Sequence, residues 1–385
     1  MDAFVIGAAT TKFGELWGIS PRTLARRAFG QVVSDSGINK NRVEALFVGN
    51  MLSGILGGQE HLGALFAEEL GLSNVPAFHI EGACASGGLA VHAAVNAVLS
   101  GQYKTVGVLG IEKMTDYKPE VISQALMGAG SDEERTAGVT FPGLYAILAR
   151  AYMRKFEVSE KELAAVSVKN HFHASLNPNA QFRNVLKIED VLKSALVADP
   201  LRLLECSPVS DGASALIISG VDSKNGIEII ASEVATDSLG LSERESLTEL
   251  KATQIAVRKA YEKSGLGPKD IDIAEVHDCF SIAEILALED LGFFEKGKAG
   301  KMILNEKVTL GKSKHMVVNT SGGLKGAGHP VGATGVKQIV EIVDQLKGRA
   351  GLRQVDGAKV GLTQNIGGSG ATAVVHILKK HDKSG

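Results

Sequence analysis

The sequence predicts an α/β protein of two similar βα-repeat halves, each a mixed, parallel-dominated sheet covered by layers of helices. Three observations carry this. Short apolar runs alternate along the chain with amphipathic helical stretches closed by glycine. A helix–glycine–strand unit occurs twice without slippage. Ser36-Gly37 and Ser264-Gly265 are 228 positions apart, and so are Val48 and Val276, which end the strands that follow. Finally, the turn and helix beginning at Cys84 have a counterpart beginning at His329.

In order, residues 3–9 read as a strand. Ser20-Pro21 then caps a helix that stops at Gly37. A buried strand over 43–48, a helix over 57–70 and a short buried strand over 75–80 follow. The turn Glu81-Gly-Ala-Cys84-Ala-Ser-Gly-Gly88 opens an apolar helix closed by Gly101, and 105–111 is a strand. These elements, with 205–222, make the first half (1–114 and 205–222). Residues 115–204 change character, with a charged loop at Asp132-Glu-Glu-Arg135 and amphipathic helices over 145–156 and 160–175. They read as an inserted loop domain over the active site. The second half, 223–385, repeats the first through a helix (248–264), a strand (271–276), the Gly328-His329-Pro330 turn with its helix, and a strand at 359–363.

Composition narrows the function classes. A chain of 385 residues, 44% hydrophobic, can bury two domain-sized cores. A net charge of -2 argues against nucleic acid or an anionic membrane as main partner. No apolar run spans a bilayer, no leader pattern opens the chain, and Lys379-Lys-His-Asp-Lys-Ser-Gly385 holds no peroxisomal signal. Three well-separated cysteines fit neither a disulfide framework nor a metal site. The expectation is a reduced, cytoplasmic protein without a permanent cofactor.

Four turns carry the candidate chemistry, and each should lie beyond the carboxyl end of a strand, where ligands of such sheets bind. Cys84 stands at a strand-to-helix turn, where unpaired backbone N–H groups should favour its thiolate. The glycines beside it would let substrate approach the backbone. A small thiol packing a helix start is an equal reading of Cys84 alone. His277-Asp-Cys279-Phe280, Gly328-His329-Pro330 and Asn365-Ile-Gly367-Gly-Ser-Gly370 complete the set. Two thiols, two imidazoles and glycine-rich backbone suit acyl transfer through a thioester, with a second acid/base for an α-proton and donors for oxyanions. Singly, His277 also reads as a satisfied buried histidine, while Cys279 reads more readily as a core thiol and Gly367-Gly368 more readily as a hairpin turn. Cys206 reads as packing at a strand edge.

Together these motifs resemble the thiolases over nearly the full length, specifically the sterol-carrier-protein-type and archaeal acetoacetyl-CoA thiolases. Cys84-Ala-Ser and Gly328-His329-Pro330 match family motifs. His277-Asp-Cys279-Phe280 and the Asn365 turn depart from the bacterial Asn-Glu-Ala-Phe and Cys-x-Gly-Gly-Gly turns in the manner of that subgroup. Ser207-Pro-Val-Ser-Asp-Gly-Ala213 and Lys169-Asn-His171-Phe-His173 resemble the family's loop-domain edges. The resemblance implies the five-layered αβαβα thiolase fold and CoA thioesters as substrates. It implies Cys84 as the nucleophile assisted by His329, Cys279 as the α-proton acid/base, and His277 with His329 facing a thioester oxygen. It further implies an oxyanion hole of the Cys84 and Gly367 N–H groups, with Ser207 and His171 beside substrate. A homodimer or tetramer is implied, with the sheet edge near Val108 as contact. So are a small zinc-ribbon/OB-fold CoA-binding protein and hydroxymethylglutaryl-CoA synthase as partners. The positive residues of the insert (Lys155, Lys161, Lys169, Arg183, Lys187, Lys193, Arg202) are scattered among acids and form no dense phosphate-binding loop. An aldolase relative or a non-enzymatic carrier subunit are the competing readings, and Cys84 and Cys279 in their motifs count against both.

Overall fold

The computed structural model describes residues 2–72, 74–221 and 226–380. The expected boundary between the halves at 222/223 and the end of the tail, 381–385, lie outside them. The strands are β1 (Phe4–Thr10), β2 (Ala45–Gly49), β3 (Ala77–Ile80), β4 (Thr105–Glu112), β5 (Leu196–Ala198), β6 (Leu201–Arg202), β7 (Gly212–Ser219), β8 (Ile227–Thr236), β9 (Ile273–Glu275), β10 (Val317–Val318), β11 (Val360–Gly367) and β12 (Thr372–Lys379). Among the described residues β5 and β6 pair only with each other. The other ten run in the order β10-β9-β11-β12-β8-β1-β7-β4-β2-β3. Read inward from either edge, the halves have the same order: β3-β2-β4-β7-β1 and β10-β9-β11-β12-β8. The repeat seen in sequence is therefore a repeat in topology. The halves join where β1 meets β8, through Phe4 opposite Glu228 and Val5 opposite Ile227. Outer strands pair in parallel (β2 with β3 and β4, β9 with β10 and β11), while the inner pairs are antiparallel.

Alternating residues explain the layers. On β4, Val106 and Val108 point into a core built on the helices Ser86–Leu99 and Val331–Lys347, and Leu109 and Ile111 point to the other face. Those two helices pack on each other and on strands of both halves, so they form the middle layer. The helix Pro21–Ser36 covers the outer face of the first half and Lys251–Ser264 that of the second. Their ends follow the sequence signals. Ser20 accepts the Thr23 N–H, a cap that contributes about 1 kcal/mol, and Gly37 and Gly265 close each helix at φ 68°.

Glycines set the distance between the middle helices. A Cβ on Gly335 would stand 2.2 Å from the Gly88 nitrogen, and one on Gly87 would stand 2.7 Å from the Gly332 carbonyl oxygen. Only bare backbone allows this approach, which brings the starts of the Cys84 and His329 helices together. The glycines after Cys84 thus serve helix contact, not the substrate approach expected of them.

Two expectations about the sheet edge change. β3 is an edge strand, not a buried one: Phe78 is 42% exposed and stacks on Phe47 at 5.1 Å. Val108 is fully buried on inner strand β4 and cannot be a contact edge. Residues 113–211, between β4 and β7, contain the helices Phe141–Phe156 and Glu160–Ser175. Both pack on Ser281–Asp290 of the second half, so the insert lies across the ends of its strands. Among the described residues no helix is long and apolar enough to cross a membrane.

Candidate active site

The four turns converge. Cys84 follows Ala83, whose left-handed backbone (φ 53°) bends the chain from β3 into the helix Ser86–Leu99. His277 and Cys279 follow β9, His329 precedes the helix Val331–Lys347, and Gly368 follows β11. The Cys84 sulfur and one ring nitrogen of each of His277 and His329 lie within 4.8 Å of one another. The imidazoles meet edge to face, with centroids 5.0 Å apart. Cys84, Cys279, His329, Tyr145, Ser207 and Gly368 line one cavity of about 210 Å³, whose remaining wall is mainly apolar.

Hydrogen bonds fix the two tautomers. Thr334 gives its single hydroxyl proton to the Pro330 carbonyl (3.0 Å), so its oxygen accepts from His329 Nδ1–H at 2.7 Å. His329 Nε2 is left bare, as a base needs. For His277 the order is reversed. Asn365 accepts the Gly88 N–H on Oδ1 (3.1 Å) and donates from Nδ2 to the Cys84 carbonyl (3.0 Å). Its amide thus presents Nδ2–H to His277 Nδ1 at 3.0 Å, and the His277 proton resides on Nε2. That Nε2 is buried without a partner among the described residues, a costly state that a substrate oxygen would relieve. One imidazole is set to accept and the other to donate.

Burial sets the charges. Desolvation lowers His329 to about 4 and holds His277 well below the ordinary imidazole value, so both are neutral at pH 7. Protonation of His329 would push His277 further the same way, as the Lys325 ammonium does. Desolvation also raises Cys84 to about 12, against the expectation of an easily ionised thiol. The N–H groups of Gly368 and Cys84 hydrogen-bond its sulfur and oppose that rise, but the low-dielectric surroundings outweigh them. Resting Cys84 and His329 are therefore thiol and imidazole, not an ion pair. Iodoacetamide should accordingly alkylate Cys84 slowly at pH 7, with a rate rising tenfold per pH unit up to about 12. A plateau near neutral pH, read by peptide mass against pH, would contradict this.

The second-cysteine turn is tied to the His329 turn by Asp278. Its buried carboxylate accepts the Leu324 N–H (2.6 Å) and the Asn170 amide (2.6 Å) and pairs with buried Lys325 at 3.4 Å. Burial of Cys279 drives its thiol well above the ordinary range, and the nearby Tyr145 hydroxyl and Lys325 partly offset this.

Residues 3–222 match the family model "Thiolase, N-terminal domain", and residues 233–380 match "Thiolase C-terminal domain-like". The chain belongs to the thiolase family. It is 46% identical to an acetyl-CoA acetyltransferase of Methanothermobacter thermautotrophicus over 98% of this chain and 100% of the relative. It is 35% identical to sterol carrier protein 2 of Rattus norvegicus over 96% of this chain and 71% of the relative. Among solved structures, the Ltp2-ChsH2(DUF35) aldolase superposes with a TM-score of 0.85 at 23% identity, covering 99% of this chain and 98% of the other.

Within this thiolase the site residues expected from sequence divide. Cys84, His277 and His329 cluster, Cys279 lines the cavity with Cys84 and His329, and Ser207 joins its wall, its N–H bonded to the Cys279 carbonyl at 2.8 Å. His171 does not line the cavity. Its Nδ1 faces the Asn184 carbonyl at 3.2 Å and its ring stacks on Phe182. Next to Gly367, expected to share the oxyanion hole, it is the Gly368 N–H that bonds the Cys84 sulfur. Cys206 lines the same cavity, bonded to the Arg202 carbonyl at 3.4 Å after a helical turn at Leu203–Glu205, not on a regular strand. Asn365, Thr334 and Tyr145 gained no role from sequence. A search for a hydroxyl partner one turn after His329 would have found Thr334. Nothing in the sequence marks Tyr145.

Proposed function

We propose that this thiolase, a CoA-dependent acyltransferase, is an acetoacetyl-CoA thiolase that condenses two acetyl-CoA molecules through an acetyl-Cys84 intermediate. The observation that carries the reading is the pair of oppositely tautomerised histidines within 4.8 Å of the Cys84 sulfur. His329 Nε2 takes the thiol proton as sulfur attacks the acetyl carbonyl. The Cys84 and Gly368 N–H groups receive the developing oxyanion. The departing CoA thiolate takes the Cys279 proton, which leaves Cys279 as thiolate. A second acetyl-CoA places its thioester oxygen against His277 Nε2–H, and Cys279 removes its α-proton. The resulting carbanion attacks acetyl-Cys84, and the expelled Cys84 thiolate recovers its proton from His329. Reversed, the same groups cleave 3-oxoacyl-CoA by thiolysis, the degradative alternative that the likeness to sterol carrier protein 2 supports.

In our reading residues 115–204 act as the loop domain, with Ser207 beside the pantetheine arm. The unpaired edge of β3, with exposed Phe78, supports a homodimer or tetramer. A cytoplasmic setting suits three free thiols. A small CoA-binding partner is supported by the aldolase neighbour, which carries a second component, ChsH2(DUF35), in its name. It is supported also by the insert's cations. Lys169 is buried on Glu284 at 2.9 Å and Arg202 faces Glu160 at 3.5 Å, so fewer remain for phosphates than the sequence offers. Condensation runs uphill, and coupling to hydroxymethylglutaryl-CoA synthase would place the enzyme at the entry of the mevalonate pathway. The test is release of acetyl-CoA from acetoacetyl-CoA plus CoA by the purified chain, with and without co-purifying proteins. Carbon–carbon cleavage that needs no free CoA would favour the aldolase reading instead.

A further inference from the structure

Tyr145 is the fully buried residue of the insert that reaches both catalytic cysteines. It lies on the helix Phe141–Phe156, which Thr140 caps and Pro142 enters. Its ring stacks on Phe280, next to Cys279, with centroids 4.6 Å apart. Its hydroxyl donates to the Gly368 carbonyl at 3.0 Å and also lies within hydrogen-bonding reach of the Cys279 thiol. Gly368 is the residue whose N–H faces Cys84. Arg244 holds the next link of that turn, donating to the Ser369 carbonyl at 2.7 Å and to its hydroxyl at 2.9 Å.

A phenol has one proton to give. While Cys279 is a thiol, that proton serves the Gly368 carbonyl and the phenol oxygen can accept the S–H. When Cys279 becomes a thiolate, the strongest acceptor within reach is its sulfur, and a rotation of the hydroxyl in the ring plane redirects the bond. We propose that Tyr145 is a positioning residue for the carbon–carbon half-reaction, holding the Cys279 thiolate in place through this redirected hydrogen bond. The inference rests on the thiolase reading above for the role of Cys279. No proton leaves Tyr145. The α-proton passes from the substrate methyl to the Cys279 sulfur, and the electron pair it leaves forms the new carbon–carbon bond to the Cys84-bound acetyl carbon. Burial holds the phenol far above its ordinary value, which keeps it a donor and not an acid. The other charges facing the pair are Lys325, Asp278 and Cys84 around Cys279 and Arg244 near the phenol, all of which a Tyr145→Phe change leaves in place.

The experiment uses Tyr145→Phe, which keeps the stacked ring. Three rates are compared with those of the unaltered protein: acetylation of Cys84 by acetyl-CoA, acetoacetyl-CoA formation, and iodoacetamide alkylation of Cys279 at a fixed alkaline pH. Acetylation should fall by less than about tenfold, through the lost bond to the Gly368 carbonyl, and so by less than the other two rates. Condensation and Cys279 alkylation should fall together by about 10–100-fold, the value of one hydrogen bond to a charged group. A Cys279 alkylation rate unmoved by the substitution overturns the inference. So does an equal fall in all three rates, the mark of a merely structural role. Alkylation reads the Tyr145 bond whether or not Cys84 acetylates, so its failure is separable from failure of the thiolase reading.

Discussion

Cys84→Ala reduces turnover by roughly 10⁵–10⁶-fold, the scale on which enzymes lose activity when a covalent nucleophile is removed. The size follows from the geometry. One ring nitrogen of each of His329 and His277 lies within 4.8 Å of the Cys84 sulfur, the Gly368 N–H bonds it, and neither other thiol belongs to that cluster. Cys279 lines the cavity but follows β9, outside the cluster formed by Cys84 and the two imidazoles. Cys206 also lines the cavity but lies outside that cluster, its thiol bonded to the Arg202 carbonyl at 3.4 Å. The fold should survive the change, since Cys84 contributes only a half-buried side chain to a small apolar cluster. Thiolysis of acetoacetyl-CoA, followed by loss of the substrate, measures it. A variant with more than about one hundredth of normal activity would move the nucleophile elsewhere.

Cys279→Ala separates the two halves of the reaction. Acetylation of Cys84 rests on His329 and the N–H groups of Cys84 and Gly368; the Cys279 proton serves it only as CoA departs, where the thiolate can take its proton from water instead. Condensation needs a base at the α-carbon, and its loss costs about 10²–10⁴-fold. The variant should therefore take up one acetyl group at a near-normal rate and then stall. Single-turnover mixing with labelled acetyl-CoA, quenched and read by protein mass, distinguishes the steps. Should Cys279→Ala condense normally while Asn365→Ala does not, the acid/base role would pass to the Asn365 turn. The structure argues against that outcome, because the Asn365 amide is committed to Gly88, Cys84 and His277.

The repeat, the caps and the four turns were legible in the sequence because each has a local signature: glycine past a helix end, alternation along a strand, a turn at a strand's carboxyl end. Ser36-Gly37 and Ser264-Gly265 are such marks, and both form left-handed helix ends. The elements that local pattern misplaced are those that long-range contact decides. β8 went unread as a strand although it seams the two halves into one sheet. β3 reads as buried from its apolar residues, yet among the described residues no strand pairs with its outer side. At the site, residue types revealed which chemistry was present but not its electrostatics. A helix start favours the Cys84 thiolate, and enclosure by Glu112 and apolar neighbours reverses that preference. Nor could sequence place His171, buried against Phe182 on the insert, or show that the Gly368 N–H bonds the Cys84 sulfur, a matter of how the turn is aimed.

Intact-mass measurement of the protein mixed with acetyl-CoA alone tests the acyl-enzyme most directly. The account predicts one acetyl adduct per chain, located at Cys84 by peptide mapping and discharged by added CoA. An adduct on another residue, or none while acetoacetyl-CoA is still being cleaved to acetyl-CoA, would contradict it.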